Sequence, residues 1–94
     1  MFFLVVFLLA DSFQTNFQAG LIALKDSNLP VAQSKLEAAS KLERANPRVW
    51  LALAETYWKL HEPDRANAAA ASVEKLTKNP DLLHALSFYY SESG

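Results

Sequence analysis

The sequence predicts an all-α chain of antiparallel helix-pair repeats, and three observations carry that prediction. Shifted by 34 positions, the chain lays Lys25 on Lys59, Ala32 on Ala66, Lys41 on Lys75 and Leu42 on Leu76. The dipeptide Asn46-Pro47 returns as Asn79-Pro80, a spacing of 33. Apolar residues make up 51% of the 94, with only two glycines and four prolines, a folded and helix-prone composition. A fixed period of this length marks stacked two-helix units, none of which can bury its apolar face alone.

The elements follow in chain order. Phe2 to Ala10 is a run of nine apolar residues ending at Asp11. It is too short to span a bilayer, which takes about 20 apolar residues, but suits the apolar part of a secretory signal, with Ala10 before a cut. Against that, no Lys or Arg precedes the run, and Leu8 fits poorly two positions before Ala10. Export or membrane tethering, an extra packed helix and a gene-start artefact are the readings left open. Residues 1–13 are therefore set apart as a hydrophobic segment, and residues 14–94 form the repeat domain. The chain is exported or membrane-associated if that segment is a signal or anchor, and cytoplasmic otherwise.

In the first repeat, Phe17, Gly20 and Leu24 fall on Leu51, Ala54 and Trp58 of the second. The second helix, "LPVAQSKLEAASKL", places Ala32, Leu36, Ala39 and Leu42 on one face of a 3.6-residue period. In the second repeat, Asn46 is the expected N-cap and Pro47 suits the next position, where no amide donor is needed. A further helix starts near Pro63, with Asp64 at its positive end and Ala66, Ala70, Val73 and Leu76 on one face. Short loops force successive helices antiparallel. At Asn79-Pro80 a third first-helix begins, matching Trp50 with Leu83, Leu53 with Leu86, Ala54 with Ser87 and Tyr57 with Tyr90. Leu82, Leu83, Leu86, Phe88, Tyr89 and Tyr90 surround that last helix. A helix apolar on most sides asks for cover on most sides. Self-association through it, or a longer polypeptide supplying the next helix, is expected.

Trp50, Leu53, Ala54 and Tyr57, followed by Ala66, resemble the signature of tetratricopeptide repeats. Small residues (Gly20, Ala54, Ala32, Ala66) let two helices approach, and large ones fill the space beside them. The first repeat departs from that pattern at Asn16 and Ala23, where the family prefers large residues, and the family's late proline is displaced to Pro47 and Pro80. The resemblance implies a short right-handed α-solenoid that acts as a protein-binding scaffold. Its first helices would line a concave groove for a peptide or partner helix. Carried across, that groove holds Gln14, Phe17, Gln18, Leu21, Leu24 and Lys25, then Arg48, Leu51, Ala52, Glu55, Trp58 and Lys59, then His84 and Phe88. Intramolecular burial is the competing reading for the apolar members. The carboxylate grip of the family's chaperone adaptors is not expected, since Leu51, Ala52 and Glu55 stand where Lys and Asn would be needed.

Catalytic signals are absent from the sequence. With nine basic and ten acidic residues the net charge is −1, which offers no patch for a phosphate backbone. Zero cysteines exclude disulfides, thiolate metal sites and cysteine nucleophiles. His61, Glu62 and Asp64 crowd a turn and lack the helical spacing of zinc motifs. Lys35, Glu37, Lys41, Glu43 and Arg44 read as a solvated face, with Glu37 and Lys41 paired at i, i+4. No phosphate loop or nucleophile elbow occurs. The expectation is a non-enzymatic, cofactor-free binding protein with a protein or peptide partner. A fragment of a longer repeat protein, or an assembly factor tethered through Phe2–Ala10, is the alternative.

Overall fold

The computed structural model describes the backbone of residues 2–93 and the side chains of residues 12–87, 89 and 90. Five helices account for it: α1 (Phe2–Lys25), α2 (Leu29–Leu42), α3 (Pro47–Lys59), α4 (Pro63–Leu76) and α5 (Pro80–Ser93). The chain is all-α over the described residues. Its helices form two compact units, one ending at Arg44 and the other beginning at Ala45.

The first unit is the antiparallel pair α1–α2. Phe2–Ala10 opens α1, whose helix continues without a break to Lys25. The side chains of Phe2–Ala10, on which the signal or anchor reading rests, lie outside the described residues. Ala23 and Leu24 of α1 and Ala32, Leu36 and Ala39 of α2 are buried. The two helices approach tightly at Gly20, where a Cβ would meet Leu36 Cγ at 2.6 Å. Glycine in a helix costs about 0.5–1 kcal/mol against alanine. Here that cost allows α2 to come close enough to bury Leu36 fully.

The second unit pairs α3 with α4 and sets α5 against both. Val49, Leu53 and Ala54 of α3 are buried. Ala66, Ala70 and Val73 of α4 are buried too, three of the four residues that the 3.6-residue spacing sets on one face. Leu76, the fourth, and its counterpart Leu42 are exposed at the helix ends. Tyr57 joins the buried residues, with the Arg65 guanidinium 5.7 Å from its ring centre. Thr56, fully buried, donates its hydroxyl to the Ala52 carbonyl at 2.8 Å, so the one polar side chain at that place is satisfied. On α5, Leu86 and Tyr89 are buried, and Tyr90 reaches Glu74 of α4, its hydroxyl donating to Oε1 at 2.9 Å.

The period is written into the turns. Ser27 and His61, 34 apart, both adopt the left-handed conformation at φ 61°. Asn28 N–H donates to the Ala23 carbonyl at 2.8 Å and Ser27 N–H to that of Leu24 at 3.1 Å. Glu62 to Tyr57 at 2.9 Å and His61 to Trp58 at 3.0 Å repeat both bonds. This is a Schellman closure, which occupies the last carbonyls of one helix while reversing the chain. Asn28 and Glu62 then serve as the N-caps of α2 and α4, so three residues make each turn.

The restarts explain the change of spacing from 34 to 33. Residues 43–46 join α2 to α3, but residues 77–79 suffice between α4 and α5. Both restarts use the expected cap: Asn46 Oδ1 accepts from Arg48 N–H at 3.1 Å, and Asn79 Oδ1 from Asp81 N–H at 2.8 Å.

Candidate functional site

Helix α3 has two faces, and their division follows from its sequence. Val49, Leu53, Ala54, Thr56 and Tyr57 point into the unit's core. Around the rest of the circumference, Arg48, Glu55 and Lys59 are exposed, while Leu51 and Trp58 are half-buried and Ala52 is buried. Spacings of three and four put these residues on one stripe. The Asn46 cap and Pro47 fix where the helix starts, and so which way this stripe turns. The stripe thus sets a half-buried tryptophan and leucine among charges of both signs.

α5 lies beside α3 within the same unit, and His84 is exposed on it. The side chain of Phe88 lies outside the described residues. On α1, Gln14, Gln18 and Lys25 are exposed and Leu21 is 39% exposed. Phe17 is half-buried, and its ring stacks on that of Phe13, centres 5.6 Å apart. Leu24 is only 6% exposed, so it contributes to packing rather than to an open surface.

Two features of possible sites were not legible beforehand. One is a groove of about 720 Å3 along the first helix pair, between Ser12 and Asn16 of α1 and the Gln33–Lys41 side of α2. Its signal is present in the sequence only as the loss of a large residue at Asn16. The other is the contact of Tyr90 with Glu74, which joins positions 16 apart and has no periodic signature. Burial raises the Tyr90 hydroxyl above its usual value, and the bond to Glu74 raises it further. Tyr89 is raised by burial alone.

Among the described residues, no three His, Asp or Glu side chains gather as a metal site would require. Also among them, no helix is long and apolar enough to cross a membrane. The chain matches no family model, no curated protein and no solved structure. What its surfaces can do therefore rests on their own chemistry. The α3 stripe offers an apolar centre, one anion and two cations.

Proposed function

We propose that the chain is a protein-binding scaffold of the tetratricopeptide kind, holding a peptide or partner helix along the exposed faces of its first helices. The observation that carries this reading is the second stripe on α3. Trp58 and Leu51 stay partly accessible there, between Arg48, Glu55 and Lys59, although the helix already buries a full core face. Tryptophan and arginine are the residues most enriched where binding energy concentrates. The repeated turns at Ser27 and His61 support the comparison with helix-pair repeats. His84 of α5, in the same unit, would extend the surface.

Affinity capture from the native host, followed by peptide mapping, tests the reading. Glu55→Lys combined with Lys59→Glu should weaken the captured partner at least tenfold and leave helicity intact. Unchanged affinity in that folded variant would remove the α3 stripe from the account.

Self-association is a further partner reading, supported by Leu82, Leu83 and Tyr90, which keep some exposure on α5. Light scattering decides it: a species of one chain's mass at micromolar concentration would end it. The nine apolar residues Phe2–Ala10 support a membrane-tethered variant of the scaffold. Flotation with lipid vesicles, comparing the full chain with one lacking those residues, distinguishes tethering from a soluble scaffold.

A further inference from the structure

The second unit bears the imprint of its third helix, and the first unit shows a pair without one. Val49, Ala52 and Thr56 of α3 and Ala69 of α4 are buried. Thirty-four positions back, in a unit of two helices, stand Thr15, Gln18, Ile22 and Lys35, all exposed. Positions 49, 52 and 56 are three and four apart and so share one face of α3, as 15, 18 and 22 do on α1. The turns that close the two pairs are the same. The difference in burial therefore belongs to α5, which lies against both α3 and α4.

That cover is thin. Two of the four residues beneath it are alanines, and the Thr56 hydroxyl is bonded within α3, to the Ala52 carbonyl at 2.8 Å. Lifting α5 would wet little apolar surface there and would leave Thr56 its partner. On α5 itself only Leu86 and Tyr89 are buried among the described side chains, against six residues on α3 and four on α4. The bond from Tyr90 to Glu74 adds a tie at an exposed edge. The first unit shows that a pair closed by this turn keeps its core with the same face open: Ala32, Leu36 and Ala39 stay fully buried.

We infer that α5 is a displaceable cover: it undocks from α3 and α4 in one step while the pair beneath stays folded. A segment with few buried side chains opens at a lower free energy than the whole chain. Undocking carries His84 away from the α3 stripe, so the surface proposed above would exist in a complete and a reduced form. The inference stands whether or not that surface binds a partner.

Native-state hydrogen exchange of the 15N-labelled full chain, in urea below the unfolding transition, tests this. The amides of residues 83–89 should share one opening free energy and one urea slope. They should exchange at least tenfold faster, relative to their unfolded rates, than the amides of Leu53 and Ala70. Ala52→Gln combined with Ala69→Lys copies the open face of the first pair. It should speed exchange in α5 at least tenfold further and leave Leu53 and Ala70 protected. Should that variant not fold, Tyr90→Phe should speed exchange in α5 about two- to tenfold, one hydrogen bond's worth, with Leu53 and Ala70 unmoved. Equal opening free energies for α5 and for Leu53 and Ala70 would overturn the inference, since the three helices would then be one cooperative unit. Protection that merely decays toward residue 93 without a urea slope would overturn it as end fraying. So would α5 exchange unchanged in a folded double variant and in Tyr90→Phe.

Discussion

Gly20 and Leu36 interlock: a Cβ on the glycine would lie 2.6 Å from Leu36 Cγ and 2.7 Å from Cδ2. At the equivalent positions of the second pair, 34 residues on, stand Ala54 and Ala70, both fully buried. One pair divides the volume as nothing and leucine, the other as two methyl groups.

Gly20→Ala should therefore destabilise the first unit despite alanine's better helix propensity. Overpacking costs about 1–3 kcal/mol against a propensity gain of about 0.5–1. Leu36→Ala alone should cost about 2–5 kcal/mol through the cavity it leaves. The double variant recreates the alanine–alanine division of the second pair. Its loss should be smaller than the sum of the two by roughly 0.5–3 kcal/mol. Urea unfolding midpoints measure all three, and strict additivity would show that the two side chains do not share the space.

Ala54→Leu makes the converse test in the second unit, where Ala54 and Ala66 are both fully buried. A loss of about 1–3 kcal/mol is expected from overpacking. An unchanged midpoint would mean that the two repeats are wrongly aligned.

Ser27 and His61 hold a backbone conformation that costs a side-chain-bearing residue about 1–2 kcal/mol and glycine almost nothing. Ser27→Gly and His61→Gly should each stabilise, by up to about 1 kcal/mol after glycine's greater entropy loss. His61→Val, β-branched, should destabilise. Thermal melts of the three variants check the order, and a stabilising valine would contradict the geometry.

Tyr90 predicts alkaline sensitivity of α5. Its hydroxyl is raised above the ordinary range of a tyrosine, first by desolvation and then by the bond to Glu74. A raised acid keeps its proton in the folded chain while the unfolded chain loses it. The contribution is thus intact below about pH 10 and falls as pH rises through the folded value. Tyr90→Phe should flatten this alkaline loss of stability, leaving the part that belongs to Tyr89. An identical pH profile for the variant would show that the Glu74 bond does not tie α5 down.

Much of the architecture was readable because it depends on periodic burial. Asn46-Pro47 and Asn79-Pro80 announced the two restarts, and the spacing of Ala66, Ala70 and Val73 gave the face of α4. The turns were less readable, since their left-handed positions carry serine and histidine instead of glycine. Periodicity also implies equal burial at equal positions, yet Ile22 is 61% exposed and its counterpart Thr56 is fully buried. The helix that Asn79-Pro80 announces, α5, packs against both α3 and α4. Of the candidate surface, Arg48, Glu55 and Lys59, carried across from the family resemblance, are exposed on α3. Leu24 could not be placed, because a leucine at a groove position and one in a core look the same in sequence.

The two turns join Asp26-Ser27-Asn28 and Leu60-His61-Glu62, triplets without a residue in common, through the same main-chain bonds. A bend stored in amides and carbonyls asks no particular side chain of its flanking residues, and of its middle one only that it bear a positive φ. Mutation can then drift through the four flanking positions, and at Ser27 and His61 among the residues that tolerate a positive φ, while the shape persists. In a lineage built this way ancestry fades from the letters before it fades from the form.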